Sequence, residues 1–258
     1  MTKQFAFILV LWALLCGAPS AWAGETITLT TGEWPPYFSK EFLHGGFVTR
    51  VVTESFALAN MEARYEYLPW KRGFEAARLG QYAGAMGWIK TPDRERDFLF
   101  SDPILTYKAV FFHRMGKQFH WEGLGDVGHM TVGVTLGYTY ANMLKATLEA
   151  RGGSLATAPT DLINFQKLAA GRIDVFPCAL AVGNYLLKTR FPPETRATIH
   201  SHPRPLHEGK LYLLISKKYP DGKAIIARFN TGLRRLRASG LYRQYENESS
   251  AGEYIPKQ

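Results

Sequence analysis

The sequence predicts an α/β fold of two lobes with a cleft between them. Strand-like runs alternate with helical stripes, glycines close the helical runs, and the succession occurs in two sets, the second opening at the β-prone run Lys108 to His113. Repeated strand–helix units imply largely parallel sheets, with ligands bound beyond the carboxyl ends of the strands. No solenoid-length repeat and no low-complexity segment competes with this reading.

The elements follow in order. Thr26-Ile27-Thr28-Leu29-Thr30 alternates as a strand does and runs into Gly32-Glu33-Trp34-Pro35-Pro36-Tyr37, where two prolines stop regular structure and stiffen a loop carrying two large aromatics. After Gly45-Gly46, Phe47, Val48, Val51, Val52 and Phe56 repeat at helical spacing. Ala63 to Leu68 reads as a strand; Trp70, Phe74 and Ala77 mark a short helix closed by Gly80. Ala83 to Ile89 is a strand of small residues whose Gly84 and Gly87 imply close packing. In the second set, Thr131 to Thr135 is a strand ending in the turn Leu136-Gly137-Tyr138-Thr139, which opens a helix from Tyr140 to Ala150. Pro159 or Thr160 starts another helix that stops at Gly171, and Arg172 to Phe176 reads as the next strand. His200 to His207 is polar and proline-containing, Lys210 to Ile215 is a strand, and Ile225, Ile226, Phe229, Leu233 and Leu236 form an amphipathic stripe up to Gly240.

The N-terminus bears on compartment. Lys3, the apolar run Phe5 to Cys16 and the A-x-A triplet Ala21-Trp22-Ala23 read as an export signal at residues 1–23. Leu15 stands where a small residue should precede a lipidated cysteine, which argues against lipidation of Cys16. Removing the signal leaves Cys178 as the only cysteine, so no internal disulfide is expected, and a bacterial periplasm fits best. The net charge of +9 is spread along the chain, which speaks against a nucleic-acid partner and would help to steer anionic ligands.

Thr91-Pro92-Asp93-Arg94 is the most pointed local motif. Thr91 suits an N-cap and Pro92 the first helical position, which makes Arg94 the third residue of a helix. A capping box would put Glu or Gln there; a cation faces the positive end of the helix dipole instead. Such an arginine can receive an anion, most naturally a carboxylate held by a forked pair of hydrogen bonds, or it can pair on the surface with Asp93 or Asp97.

The order of motifs then resembles a known family. The Pro-Pro-Tyr loop, Gly-Gly-Phe before a helix, Thr-Pro-Asp-Arg with Phe-Ser-Asp-Pro, Val-Gly-Val-Thr-Leu-Gly, Gly-Arg-Ile-Asp, and a terminal helix with Ser-Gly-Leu-Tyr together closely resemble the family 3 extracellular solute-binding proteins, the periplasmic amino-acid-binding components of ABC transporters. The likeness covers essentially the whole mature chain. It implies the type II periplasmic-binding-protein fold: two α/β lobes joined by two hinge strands, the first lobe made of residues 24–113 and 205–258, the second of 114–204, and hinges near His113 and Arg204. By the same resemblance Arg94 grips the ligand's α-carboxylate, the backbone N–H groups of Gly137 and Tyr138 bind it from the second lobe, Trp34 and Tyr37 pack on the ligand, and Trp70 forms a second wall. Trp88 is read as structural, and Lys71 and Arg72 point either into the cleft or, as charged residues on a helix face more often do, into solvent.

Departures from the family pattern narrow the expectation. The aspartate usual eight residues after the glycine of Gly-Arg-Ile-Asp, which would hold an α-ammonium, is Ala179. Ala83, Ile89 and Arg50 replace other frequent polar positions. Either Glu33 or Asp161 supplies the counter-charge, or the ligand has no α-ammonium. The chain is thus expected to be a monomeric, cofactor-free binder of a small carboxylate, an amino acid or related acid, delivered to an inner-membrane ABC permease. A ligand sensor for a membrane receptor and an exported cyclohexadienyl-type dehydratase on the same fold are the alternatives. The histidines at 200, 202 and 207 lack a nearby carboxylate cluster, and no metal site is expected from them.

Overall fold

In the computed structural model, β1 (Glu25–Thr31) lies parallel to β2 (Met61–Tyr67) on one side and to β3 (Gly84–Trp88) on the other. The residues described are 25–116, 119–138 and 140–257; the export signal read at residues 1–23 lies outside them. Two helices make the crossovers. α1 (Phe47–Ala57) buries Phe47, Val48, Val51, Val52 and Phe56, the stripe expected from the spacing, and α2 (Trp70–Arg78) ends before Gly80, whose φ is 81°. Lys71 and Arg72 are exposed.

α3 (Pro92–Asp97) follows β3, capped by Thr91, and leads into β4 (Phe98–Phe100). The Phe-Ser-Asp-Pro motif then works as a staple. The Ser101 hydroxyl accepts from Leu213 N at 3.0 Å, Asp102 N donates to Asn230 Oδ1 at 2.8 Å, and Arg234 donates to the Asp102 carboxylate at 3.2 Å. Asn230 and Arg234 belong to α8 (Gly222–Ala238), whose apolar stripe packs against α1. The two helices approach so closely at Gly232 that a Cβ there would sit 1.8 Å from Ser55 O.

The second set repeats the pattern. β6 (Thr131–Thr135) runs parallel to β7 (Ser154–Ala158) and to β8 (Val175–Ala179), with α4 (Tyr140–Arg151) and α5 (Asp161–Ala169) between them and α6 (Leu180–Arg190) and the short α7 (Pro193–Arg196) after β8. Thr160 caps α5 through Ile163 N at 3.3 Å. The strand expected from Arg172 begins only at Val175 and contains Pro177. β6 pairs with β8 at Val132 and Val175 alone, so Pro177 lies past that pairing and its missing N–H costs no ladder bond on that side.

Two long antiparallel strands join the sets. β5 (Leu105–Arg114) and β9 (Ile199–Ser216) complete the order β2-β1-β3-β9-β5-β8-β6-β7, with β4 also on β9. β9 pairs with β5 up to Leu211 and with β3 and β4 from Tyr212 onward, while β5 gains β8 at Ala109. The polar stretch His200 to His207, which has no strand signal of its own, is the first part of β9. It pairs only with β5, and the register shifts beside Pro203 and Pro205, as an edge strand permits. The result is an α/β fold of two lobes linked by two strands.

α9 (Leu241–Ala251) closes the chain against α1. Arg50 pairs with Glu248, donates to the Tyr254 hydroxyl at 2.9 Å and lies 3.7 Å over the Tyr245 ring. Arg50 therefore ties the last helix down. No described helix is long and apolar enough to cross a membrane.

Candidate ligand-binding site

The ends of β1, β3 and β6 bring the sequence-predicted residues to the region where the lobes meet. Arg94 is the third residue of α3, and its N–H donates to Thr91 Oγ1 at 3.4 Å. Its Nη1 donates to Ile89 O at 2.9 Å, and the guanidinium lies 4.7 Å over the Trp88 ring and 5.7 Å from that of Phe74. Asp93 pairs with Arg96 instead, at 3.3 Å. Among the described residues, no carboxylate pairs with Arg94. Burial lowers its pKa, but an arginine keeps its charge at any physiological pH. Its N–H groups therefore have no acidic partner among the described residues. Trp88, read as structural, is the platform that orients it.

A train of aromatics leads from Arg94 across the first lobe. Trp70 meets Trp88 edge-on at 5.5 Å and Phe38 at 6.0 Å, and its indole N–H donates to Glu33 O at 3.3 Å. It lies so close over Gly32 that a Cβ there would sit 2.5 Å from the indole, which is why the loop carries glycine at that point. Glu33 is exposed and accepts from Lys40 N at 2.9 Å, so its carboxylate serves its own loop. Trp34 packs on Tyr37 at 5.1 Å and on Tyr107 at 5.5 Å. Tyr37 is buried, and burial raises its hydroxyl pKa.

The second lobe offers a different chemistry from the one expected of Gly137 and Tyr138. Gly137 has φ 86°, which glycine adopts freely, and the Tyr138 N–H is used within the turn, donating to Thr135 O at 3.1 Å. The Tyr138 side chain turns inward and its hydroxyl donates to Asp161 Oδ2 at 3.0 Å. The other oxygen, Oδ1, accepts from Thr135 Oγ1 at 2.5 Å, and Asn164 Nδ2 donates to that Thr135 oxygen at 3.0 Å. Asp161 is 8% exposed. Burial raises its pKa, against the lowering effect of Thr135, Tyr138 and the Trp34 indole. The Trp34 N–H is buried and close enough to act on Asp161, yet it completes no hydrogen bond. Across the same gap Phe42 meets Tyr185 of α6 at 5.7 Å.

Ala179 is buried at the end of β8, and Asp161 at the start of α5 lies within electrostatic reach of the adjacent Cys178. The sequence named Asp161 only as one of two alternatives, and Tyr107 not at all. Tyr107 sits in β5 over Gly209, with its ring 6.2 Å from that of His207. Of the histidines read together, His200 and His202 lie with His113 on the linking strands and beside Phe119, while His207 stands apart beside Tyr107.

Compared with known families, the chain matches the model of the bacterial extracellular solute-binding proteins, family 3, over residues 27–249. The chain belongs to this family. A comparison with curated protein sequences found no match. Among solved structures, this solute-binding protein is similar to a histidine kinase sensor domain described as similar to periplasmic binding proteins, at 20% identity, TM-score 0.71, over 90% of this chain and 97% of that one. It is also similar to an ancestral arginine-binding protein bound to arginine, at 19% identity, TM-score 0.70, over 91% and 100%. A third is the ancestral amino acid-binding protein AncCDT-1, a precursor of cyclohexadienyl dehydratase, at 19% identity, TM-score 0.67, over 86% and 94%. At these identities the likeness is one of fold, and the solute-binding protein's own ligand must be argued from its side chains.

Proposed function

We propose that the protein is a monomeric periplasmic solute-binding protein. It closes its two lobes on a small carboxylate-bearing ligand and delivers it to an ABC permease of the inner membrane, with no cofactor. The observation that carries this reading is Arg94: a half-buried guanidinium, held in place by Ile89 O and the Trp88 and Phe74 rings, with no acidic partner among the described residues. An arginine fixed in this way accepts a carboxylate by paired, charge-assisted hydrogen bonds. Trp70, Trp34 and Tyr37 supply apolar walls, and the Gly137 turn faces them from the second lobe. The lobes hinge on β5 and β9. The partner changes at Ala109 and between Leu211 and Tyr212 favour a bend somewhat closer to the first lobe than His113 and Arg204.

A thermal-shift screen of amino acids, keto acids and aromatic acids on the mature chain tests the reading, because a ligand that binds the folded state stabilises it. At least one carboxylate should raise the midpoint in the wild type and lose most of that effect in Arg94→Ala.

A second reading, acid–base catalysis in the same cleft, has one observation in its favour. Asp161 is a buried carboxyl with a raised pKa, hydrogen-bonded to a phenol, and such groups can hold and pass a proton. Turnover of prephenate or arogenate, followed by product absorbance and abolished in Asp161→Asn, would replace the transport reading.

A further inference from the structure

From the surroundings of Asp161 we infer that the ligand's second pole is a cation, an N-alkylated ammonium, held against the Asp161 carboxylate between the rings of Trp34, Tyr107 and Tyr138. This rests on the carboxylate reading above and adds to it the class of ligand. Four observations support it.

Asp161 is buried and, among the described residues, no lysine, arginine or histidine pairs with it. A buried carboxylate without a counter-charge is unfavourable, and removing water from around it by closing the lobes makes it more so. A ligand cation removes that penalty. The carboxylate is also oriented, since Thr135 and Tyr138 each hold one oxygen and Asn164 holds Thr135.

The surroundings are aromatic and come from three separate segments: Tyr138 and Trp34 act on Asp161 directly, and Tyr107 packs edge-on against Trp34. Trp34 belongs to the proline-stiffened loop of the first lobe, Tyr107 to a linking strand and Tyr138 to the β6 turn. Trp34 and Tyr107 meet at 85° and 5.5 Å, which sets two faces at right angles. Aromatic faces attract a cation, by about 0.5 to 2 kcal/mol per well-placed ring.

The nature of the cation follows from what is scarce. A primary ammonium brings three donors and needs three acceptors. Here each Asp161 oxygen already accepts one bond from the protein, the indole of Trp34 can only donate, and Ala179 stands where a further acid would be. The carboxylate therefore supplies charge and, beside the π faces, one open lone pair on each oxygen for a group that would bring three donors. An alkylated ammonium, which asks for charge and apolar contact rather than hydrogen bonds, satisfies it better.

Isothermal titration of the mature protein at neutral pH tests this with matched acids of three chain lengths. The probes are glycine betaine, the N-trimethyl derivatives of β-alanine and 4-aminobutyrate, their primary amines, and 3,3-dimethylbutyrate, which copies the shape of glycine betaine without its charge. At one chain length at least, the trimethylated acid should bind at least tenfold more tightly than its primary amine. If glycine betaine is the bound form, 3,3-dimethylbutyrate should likewise be at least tenfold weaker. Asp161→Asn keeps the side-chain shape and should erase these preferences, and Tyr107→Ala should weaken the trimethylated acid alone. Binding of the primary amine, or of the neutral isostere, as tightly as the trimethylated acid would overturn the inference. So would failure of every trimethylated acid while some other carboxylate binds in an Arg94-dependent way, and that result would leave the carboxylate reading standing. Absence of Arg94-dependent binding across the whole screen would remove both.

Discussion

The guanidinium of Arg94 lies 4.7 Å over the Trp88 ring while its Nη1 donates to Ile89 O, so the last residue of β3 and the one after it together set the direction of one cation. A flexible arginine spends side-chain entropy when it grips an anion; this one is already positioned.

Trp88→Ala should therefore weaken ligand binding through Arg94 without removing the charge. A loss of about three- to tenfold in affinity is expected, the size of a cation–π contact. Titration of the ligand found in the screen measures it. A variant that binds as tightly as wild type would show that Arg94 needs no platform.

Stability should depend on pH through Asp161. Burial raises its pKa above the ordinary 3.8, so the folded chain keeps this proton to higher pH than the unfolded one. The contribution of this group to stability is then greatest at acid pH and is lost as pH rises through the raised value. The groups facing it are Thr135, Asn164, Trp34, Tyr138, Tyr140 and Cys178; burial raises the last three, so none gains charge below neutrality. Asp161→Asn without ligand should melt a few degrees above wild type at neutral pH, with the gap closing toward pH 4. Melting curves across pH 4 to 8 decide; an asparagine variant less stable at neutral pH would contradict the unpaired-charge account.

Arg50 and Glu248 make a prediction about stability alone. Their pair, with the Tyr245 and Tyr254 rings, ties α9 to α1. Glu248→Ala should cost about 1 to 3 kcal/mol in denaturant unfolding and leave ligand affinity unchanged.

At Gly232 the constraint is steric. A Cβ 1.8 Å from Ser55 O forces α8 away from α1, so Gly232→Ala should destabilise by about 1 to 3 kcal/mol or more despite the better helix propensity of alanine. Chemical denaturation reads this directly; a neutral or stabilising alanine would mean that the helices separate at no cost.

How far the sequence reached depended on whether the cause was local. The bounds of β6 and the start of α4 agree with their patterns because Gly137, the β-prone Thr131–Thr135 run and the helical stripe act within a few residues. Thr91 caps the helix it was expected to cap, and Thr160, one of the two expected starts of α5, caps that one. The polar half of β9 was not legible as a strand, because its partner β5 lies far back in the chain and an edge position tolerates its prolines. Pro177 hid the true extent of β8 for a similar reason. In the site, the cation at Arg94 could be read from capping logic, but its Trp88 platform could not, since the packing of Trp88 against Phe74 and Trp70 is set by α2. Asp161 looked like any acid in a first helical turn until β6 and Trp34 enclosed it.

The most direct measurement of the central claim is calorimetric titration of wild type and Arg94→Ala with the carboxylate that gives the largest thermal shift. The account predicts at least a tenfold loss of affinity in Arg94→Ala, with the melting temperature of the unliganded variant within a degree or two of wild type. Equal affinity in the two proteins would contradict it.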